Sequence, residues 1–384
     1  MASSESAKRK ESSMQFVVSK QNLQKELGFV QGVVEKKNTI PVLSNILIES
    51  VGENTIRFTG TDLDVTIRCD MDAEDISTPG SICVQARKLF DIARLLPDAP
   101  VTFKKEDNDW VTVTCDKTRF KMVGIKKEDF PEVPSFKSAP TKISAGVIKV
   151  FVDRTIFAIT QEESRYTLSG AKFILDDKGA KMITTDGHRL AYVERKGVSQ
   201  NGGNDSIDTL IPRKTLAELT KLTAGYEGDI SLGMDGNHIF FEVGPRLLIS
   251  RMLYGQFPNY EMVMPKDTDK SIQFDAALLN SAIRRVALMA DERSRAIRFH
   301  LEPNQLVISS QNAEEGEANE AIQTEYNGDE IDIGFNAQYL QDFLNVIGDG
   351  TVAFEFKDGN SQAQLRPADG GDYEYKYVVM PMRL

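Results

Sequence analysis

The sequence is poor in the residues that form disulfides and metal centres. Its 384 residues include only three cysteines and three histidines. Cys69, Cys83 and Cys115 are an odd number without C-x-x-C spacing, which argues against a disulfide framework and against a cysteine-bound zinc ion. The histidines form no H-E-x-x-H motif, so a histidine metal centre is excluded as well. We therefore expect no metal, no cofactor and a reducing compartment, the cytoplasm.

The sequence also lacks long apolar runs and the usual nucleotide-binding loops. No stretch of about 18 apolar residues occurs, so we expect no membrane-spanning helix. The first residues contain no apolar core of a signal peptide, so we expect no Sec-type export. Neither G-x-x-x-x-G-K-[ST] nor G-x-G-x-x-G is present, which excludes the common phosphate loops. The hydrophobic fraction of 41% and the charged fraction of 27% are ordinary for a globular protein, and the length predicts two to four domains.

One pattern of elements occurs three times along the chain. Each copy opens with a helix whose apolar residues recur every three or four positions, continues with strand pairs and contains a second helix later. The second helices align at Arg87, Arg213 and Ala337, which are 126 and 124 residues apart. Near-equal offsets with the same order of elements indicate three homologous units. We place these units at 14–140, 141–265 and 266–384, after a polar, Ser-rich leader at 1–13 that we expect to be disordered.

The hydrophobic periodicity predicts a fold of the α+β class. Between the helices, apolar side chains alternate with period two, which predicts about eight short strands in each unit. A helix with one apolar stripe packs on a sheet and leaves its other face to solvent or to a partner. We therefore predict three tandem repeats, each with two helices on antiparallel sheets. The six predicted helices span 19–37, 85–96, 144–160, 212–224, 275–289 and 336–348.

Basic residues are concentrated on the predicted helices. The chain carries a net charge of −11, but the six helices together carry +7 and the remaining residues −18. A basic helical surface on an otherwise acidic protein suits a polyanion that is held by its phosphates. The helices present no cluster of Arg, Asn and Gln with aromatic residues, so sequence-specific reading is not indicated. The simpler alternative is that these Lys and Arg side chains are only solvated.

Two motifs point to a known family. The segment 184–196 reads T-T-D-G-H-R-L-A-Y-V-E-R-K, and 378–384 reads V-V-M-P-M-R-L. Together with the threefold repeat, these motifs resemble the bacterial replicative sliding clamp, the beta subunit of DNA polymerase III, from Met14 to Leu384. The resemblance implies the DNA-clamp fold and a ring-forming, head-to-tail homodimer that encircles double-stranded DNA without sequence specificity. It also implies a non-catalytic processivity factor that tethers the catalytic subunit of the replicative DNA polymerase and binds the clamp-loader ATPase and other proteins with a clamp-binding motif.

The resemblance and the charge pattern together predict residues that contact DNA. Lys37 and Tyr166 match family positions that approach the duplex. The basic residues on the faces of the predicted helices add Arg87, Lys88, Arg213, Lys214, Arg284 and Arg285.

The resemblance implies two further sites, a peptide groove between the second and third units and a subunit interface. The groove would receive a short Leu- or Phe-bearing peptide in an apolar slot with flexible methionines. The interface would be an apolar contact flanked by opposite charges that joins the first unit of one copy to the third unit of the next. The expected groove residues are Leu168, Thr185, Gly187, His188, Arg189, Leu190, Pro258, Val263, Val379, Met380, Pro381, Met382 and Arg383. The expected interface residues are Lys117, Arg119, Phe120, Leu288, Met289, Glu314 and Glu315.

Two other functions stay open on the sequence. A repeat-built protein-interaction scaffold without DNA would have the same threefold pattern. A hydrolase could use His188 as a base oriented by Asp186. However, adjacent residues rarely face one another as a triad requires, and no Ser or Cys nucleophile motif accompanies them. A tight turn through Gly187 is the simpler interpretation of this segment.

Overall fold

The computed structural model describes residues 13–34, 40–136, 141–162, 164–198 and 206–383. These residues contain six α-helices and 25 β-strands, in three successive copies of one pattern. The predicted α+β class with two helices in each repeat is confirmed. Lys37 and the predicted leader up to residue 12 lie outside the described residues.

All six predicted helices are present, and each is shorter than its prediction. The predicted continuation of the first helix through 31–34 was wrong, because these residues form turns around Gly32. The predictions to 160 and 289 were also too long, because Ile156–Ala158 and Ala287–Met289 are 3₁₀ turns. Among the described helices, none is long and apolar enough to cross a membrane. The helices are α1 Lys20–Val30, α2 Ala86–Leu95, α3 Ala145–Thr155, α4 Arg213–Thr223, α5 Ala276–Val286 and α6 Ala337–Ile347.

Short polar side chains fix where several helices begin. Ser19 accepts the N–H of Asn22 ahead of α1, and Asp275 accepts the N–H of Leu278 ahead of α5. Asn336 caps α6 in the same way. Each cap satisfies an N–H group that the first helical turn leaves without a partner.

Within the described residues, the three repeats contain nine, eight and eight strands. In the first repeat these are β1 Met14–Val18, β2 Asn45–Val51, β3 Thr55–Thr61, β4 Val65–Asp72, β5 Asp75–Thr78, β6 Ser81–Gln85, β7 Val101–Lys105, β8 Trp110–Cys115 and β9 Thr118–Ile125. In the second they are β10 Thr141–Ser144, β11 Gly170–Leu175, β12 Gly179–Thr185, β13 Arg189–Lys196, β14 Ile207–Pro212, β15 Asp229–Asp235, β16 His238–Val243 and β17 Arg246–Arg251. In the third they are β18 Lys270–Asp275, β19 Ala296–Glu302, β20 Gln305–Asn312, β21 Gly316–Gln323, β22 Ile331–Asn336, β23 Thr351–Phe356, β24 Ala363–Pro367 and β25 Glu374–Val379.

The chain forms two compact units, and the middle repeat contributes to both. The first unit consists of residues up to 145 together with 214–252, and the second of 146–213 together with 253–384. In the first unit, thirteen strands follow the order β10-β15-β16-β17-β4-β3-β2-β6-β9-β8-β7-β1-β5. The second unit has an eight-stranded sheet, β14-β11-β12-β13-β25-β24-β23-β18, and a four-stranded sheet, β21-β20-β19-β22.

Successive repeats are joined by one kind of strand pairing. The last strand of the second repeat, β17, pairs antiparallel with the fourth strand of the first, β4. The last strand of the third repeat, β25, pairs in the same sense with the fourth strand of the second, β13. In both pairs the last strand of a repeat therefore extends the sheet of the repeat before it. We call this the joining rule.

The first unit also contains a buried ion pair. The guanidinium of Arg246 on β17 donates two hydrogen bonds, of 2.8 and 2.6 Å, to the carboxylate of Glu26 on α1. Both side chains are 8% exposed, and the guanidinium lies 4.2 Å from the ring of Phe29. Burial alone would lower the pKa of Arg246, but its hydrogen bonds to Glu26 raise that pKa above its ordinary value. This ion pair therefore links α1 of the first repeat to the last strand of the second repeat.

We predict that Arg246→Met lowers the free energy of unfolding by about 3–5 kcal/mol, because it leaves the Glu26 carboxylate buried without a countercharge. The measurement is urea unfolding followed by circular dichroism. The double variant Glu26→Met, Arg246→Met serves as control and should recover most of the loss. A double variant as unstable as the single one would contradict this explanation.

Candidate functional site

The turn between β12 and β13 is held by two side chains that bond the turn's own backbone. Thr185 Oγ1 accepts the N–H of Gly187 at 3.1 Å and donates to the carbonyl of Arg189 at 2.6 Å. Asp186 Oδ1 accepts the N–H groups of His188 and Arg189 at 2.9 and 3.1 Å. Gly187 has a φ of +89°, which glycine adopts without steric cost. The turn is therefore well fixed and leaves His188 exposed to solvent.

This geometry removes the hydrolase alternative. The second oxygen of Asp186 accepts the Nε of Arg189 at 3.0 Å, so both carboxylate oxygens have partners other than the His188 ring. The imidazole instead lies nearly parallel to the ring of Tyr339, with 6.5 Å between centroids. Within the described residues, no group of three His, Cys, Asp or Glu side chains could hold a metal ion. The turn therefore has a structural role, and it exposes Gly187 and His188 to solvent.

The first repeat contains the same turn between β3 and β4. Thr61 Oγ1 accepts the N–H of Leu63 and donates to the carbonyl of Val65, and Asp62 Oδ1 accepts the N–H groups of Asp64 and Val65. Leu63 stands where the second repeat has glycine and has a φ of +81°. The identical hydrogen-bond pattern shows that the two turns are equivalent in structure.

Arg189 links the turn to α6 and to the backbone at Phe157. Its side chain is only 9% exposed and donates to Asp342 on α6 at 2.6 Å and to the carbonyl of Phe157 at 2.7 Å. Its guanidinium also lies 4.3 Å from the ring centroid of Tyr339. Burial alone would lower the pKa of Arg189, but Tyr377 and the two carboxylates raise it above its ordinary value. Arg189 is therefore a permanently charged support of the turn, and it presents little surface to a ligand.

An apolar cluster lies beside the turn in the second unit. Its buried members are Ile183, Leu190, Tyr192, Leu210, Phe257 and Val378, and Leu168, Leu253, Tyr260, Val263 and Met264 pack against it half-buried. Burial and a 2.5 Å hydrogen bond to Glu194 raise the pKa of Tyr192 above its ordinary value, so its hydroxyl stays protonated. Pro258 is exposed next to the cluster and lines an open cavity of about 510 Å³ with Phe257 and Tyr260.

The end of β25 brings the C-terminal motif to the same place. Val379 pairs with Arg189, and the N–H of Met380 donates to the carbonyl of His188 at 2.9 Å. Met382 then bonds Gly334 on β22. Leu168, Leu190 and Val263 thus belong to the cluster, and Val379 and Met380 adjoin the turn. Leu190 and Val379 are 1% and 0% exposed and support the slot from inside.

The predicted DNA residues on the helices divide into two groups. Arg87, Lys88 and Arg284 are exposed, and within the described residues they have neither an ion pair nor a hydrogen bond from their side chains. Tyr166 is also exposed, on the short 3₁₀ turn Tyr166–Leu168. These four side chains are available to a partner.

The other three predicted cations are engaged inside the chain. Arg213 donates to the carbonyls of Ile156 and Ile159 at 3.0 and 3.4 Å. Lys214 forms an ion pair with Asp62, and Arg285 forms a bidentate pair with Glu320 at 2.5 and 2.8 Å. These contacts give each side chain an internal structural partner.

Of the fourth and last strands of the three repeats, β9 and β21 have an edge without a neighbour in the described residues, as do the sheet-terminal strands β5, β10, β14, β18 and β22. In the part of the chain that the structure describes, β9 pairs with β6 only through Gly124 and Ile125, so Thr118–Val123 has β8 on one side alone. Strand β21 is the terminal strand of its sheet and pairs only with β20. An unpaired edge offers backbone donors and acceptors to another strand.

The residues around these two edges have opposite charge and exposed apolar groups. Near β9, Lys117, Arg119 and Lys121 are exposed, as are Trp110 and Val123, and Phe120 is half-buried. Near β21, Glu314, Glu315 and Glu317 are exposed, and Leu288 and Met289 are 76% and 36% exposed. Arg119 and Phe120 thus lie on β9, and the other predicted interface residues lie beside the two edges, which belong to different units.

Sequence reasoning missed the aromatic and acidic residues that support the turn. Phe157, Tyr339 and Asp342 contact Arg189. The sequence predicted the helical segments 144–160 and 336–348 that contain them, but not their contacts with Arg189. The signal for α6 was its apolar stripe, and the polar residues beside that stripe carry no sequence pattern that names their partner.

Three family models match the chain in succession. They describe the N-terminal, central and C-terminal domains of the DNA polymerase III beta subunit and match residues 14–134, 142–259 and 261–383. Beta sliding clamps of Pseudomonas aeruginosa and Escherichia coli K12 are 37% and 32% identical to this chain over 372 residues, which is 97% of this chain and 100% of each relative.

Solved structures agree with these matches. A sliding clamp from Pseudomonas aeruginosa bound to griselimycin has a TM-score of 0.91 and 37% identity, and a clamp from Caulobacter crescentus has a TM-score of 0.90 and 34% identity. Both comparisons cover 97% of this chain and 100% of the other. Three tandem repeats of two helices on antiparallel sheets are thus the DNA-clamp fold. The chain belongs to the DNA polymerase III beta subunit family, the beta sliding clamps, whose members are non-catalytic processivity subunits.

Proposed function

We propose that two copies of this chain close head to tail into a ring around duplex DNA and tether the replicative polymerase to it. The observation that carries the proposal is the joining rule together with the two unpaired edges. Strand β9 is the last strand of its repeat, and β21 is the fourth strand of its repeat. The two strands that the rule leaves without a partner are thus a last strand and a fourth strand. In a ring, β9 of one copy pairs with β21 of the next, as β17 pairs with β4.

Charge and apolar surface support this pairing. Arg119 and Lys121 on β9, which share the carboxylate of Glu106 at 3.8 and 2.7 Å within the chain, would face Glu317 and the acidic loop before β21. The exposed side chain of Leu288 would be covered by apolar residues of the partner's β9 edge, which accounts for its exposure in a single chain. Because the two edges differ, the contact is heterologous, and a heterologous contact closes into a ring only by rotation. A homodimer then contains six repeats.

Enclosure of the DNA by a closed ring determines how strong the contacts between protein and DNA need to be. A closed ring cannot leave the duplex sideways, so its basic residues need only weak, exchangeable contacts with phosphates. Arg87, Lys88, Arg284 and Tyr166, exposed and without side-chain ion pairs in the described residues, are our proposed DNA contacts. Weak phosphate contacts without base reading allow sliding.

The apolar cluster and the β12–β13 turn are our proposed docking groove for polymerases and the clamp loader. Leu168, Val263 and Met380 would form its walls and rim, with the turn at His188 as its polar border. A tethered polymerase rebinds its DNA at an effective concentration of order mM, which is the basis of processivity. We further propose the domain limits 14–140, 141–265 and 266–384 and a cytoplasmic location, with which the three buried free thiols agree.

We predict that Leu288→Asp converts the dimer to a monomer, because a charge replaces an apolar contact at the centre of the proposed interface. Light scattering after gel filtration measures the mass. Tyr254→Asp is the matched control, since Tyr254 is also in the second unit and is 68% exposed. A Leu288→Asp protein that stays dimeric would place the interface elsewhere.

We predict retention on DNA by enclosure. Protein loaded by its ATPase loader onto nicked circular DNA should resist about 1 M salt, where exposed charges are screened within roughly 3 Å, and should be released when the circle is cut. Release from intact circles by salt alone would refute the ring.

The triple variant Arg87→Ala, Lys88→Ala, Arg284→Ala tests the proposed phosphate contacts. It should still be retained on circles in high salt, but its low-salt affinity for linear duplex should fall, with a shallower salt dependence. Alanine at Lys104, Lys126 and Lys196, three exposed lysines outside the helices, is the control with equal loss of charge.

We predict that Asp342→Asn weakens binding of a Leu- and Phe-bearing peptide by about 5–30-fold, because Arg189 loses a charged partner and the turn loses its support. Fluorescence anisotropy of a labelled peptide measures the affinity. Asp332→Asn is the control, because it removes the bidentate ion pair with Arg298 away from the groove. Equal affinity in the two variants would show that the turn does not depend on Asp342.

A further inference from the structure

A second cavity lies at the opposite end of the β13–β25 strand pair from the groove. The groove end of the pair is Arg189 opposite Val379, and the other end is Glu194 opposite Glu374. Five residues of strand separate the two ends, on the order of 17 Å. The cavity has a volume of about 300 Å³ and is lined by Arg154, Tyr373, Tyr375 and the loop that joins β24 to β25.

Arg154 is the unusual member of this lining. It lies in the last turn of α3, and its guanidinium carbon is 5.0 Å from the ring centroids of both Tyr373 and Tyr375. Within the described residues, none of its guanidinium N–H groups donates a hydrogen bond, and no carboxylate pairs with it. A guanidinium offers five donors in a planar fork. Stacking orients this fork but leaves its donors unused.

The neighbouring charges are engaged elsewhere. Arg366 pairs with Glu355 at 2.8 Å, and Lys376 pairs with Glu374 at 2.5 Å. Arg195 donates to the hydroxyl of Tyr373 at 2.9 Å, which fixes the ring on which Arg154 stacks. Among the described residues that line the cavity, Arg154 is therefore the cation without a countercharge.

The loop adds bare backbone on the other side. Gly370 and Gly371 line the cavity, and a Cβ on either would meet no atom within 4 Å. In the described structure their N–H groups have no protein acceptor. Asp369 also lines the cavity, and among the described acidic residues of the lining it is the one without an ion pair. The wall thus combines a forked cation, open N–H groups and one competing carboxylate.

We propose that this cavity binds the phosphate group of a small phosphorylated molecule, up to about the size of a nucleoside monophosphate. A guanidinium fork is complementary to two oxygens of a phosphate, and such charge-assisted bonds are stronger than neutral ones. Backbone N–H groups of glycines are common additional phosphate donors. The volume exceeds what a bare phosphate fills and lies at the lower limit of small-molecule sites. Asp369 weakens the site by repulsion and sets its affinity.

Isothermal titration of the full-length protein with dAMP, inorganic phosphate and deoxyadenosine tests the proposal. We expect dAMP to bind most tightly, inorganic phosphate more weakly and deoxyadenosine not at all. Equal binding of deoxyadenosine and dAMP would overturn the phosphate assignment. Absence of binding by both dAMP and phosphate up to about 10 mM would overturn the site.

Two opposed variants locate the site. Arg154→Met should lower dAMP affinity by about tenfold or more, because it removes the fork and keeps an apolar chain against the rings. Asp369→Asn should raise the affinity by about threefold, because it removes the repulsion. Lys149→Met, an exposed cation on the same helix, is the matched control and should leave the affinity unchanged.

Folding and peptide binding separate this site from the groove. Tyr375 donates its hydroxyl to the backbone carbonyl of Arg154 at 2.9 Å, a contact that Arg154→Met retains. The variant should therefore keep the wild-type melting temperature and peptide affinity. If dAMP affinity fell only together with the melting temperature, or fell equally in Lys149→Met, the cavity would not be the binding site.

Discussion

Backbone hydrogen bonding at strand edges is the constraint on which this structure depends. Each repeat has a fourth strand whose outer edge needs a partner and a last strand that can supply one. The pairs β4–β17 and β13–β25 satisfy that need twice within the chain. In the described residues of this chain, the last strand β9 and the fourth strand β21 then each keep an edge without such a partner. A chain with any number of such repeats in a row would keep one unpaired last strand at one end and one unpaired fourth strand at the other.

The same constraint explains why the two edges differ in charge from internal joints. Internal joints are formed once, during folding, between strands of the same chain. The terminal edges have to meet in solution, where opposite charge raises the rate and favours the correct partner. Arg119 and Lys121 on one edge and Glu317 on the other also oppose self-pairing of like edges, because two β9 strands would bring cations together. Charge on an edge strand thus attracts the oppositely charged edge and repels a second copy of the same edge.

The sequence predicted the elements well and the partners of individual side chains poorly. Apolar periodicity depends on burial of a whole face, so it located all six helices, and near-equal offsets located the repeats. Arg213 and Arg87 occupy equivalent places at the start of the second helix in their repeats and look alike in sequence. The structure distinguishes them, because Arg213 reaches two carbonyls of a 3₁₀ turn, whereas Arg87 is exposed. In the second repeat the difference depends on the segment after α3, whose carbonyls accept from Arg213.

The turn at 184–189 shows the same limit for function. Asp, Gly, His and Arg in succession are compatible with catalysis or with a tight turn, and only the directions of the side chains decide. Asp186 bonds backbone and Arg189, so its charge is used to build the turn. Arg189 then extends that support to Asp342, which is 153 positions away in sequence. No local pattern could have named this partner, because it is selected by the packing of α6 against β25.

A clamp of this design separates holding from recognition. Holding comes from closure of strand edges, whose backbone bonds are insensitive to salt, so the cations facing DNA need not bind tightly. Several predicted DNA cations are in fact used internally, such as Lys214 with Asp62 and Arg285 with Glu320. Internal pairing of these cations lowers the number of phosphates that the ring could grip at one time. Tight phosphate binding would oppose sliding, since each step along the duplex would break it. A modest number of free cations on a closed ring is therefore what a mobile tether requires.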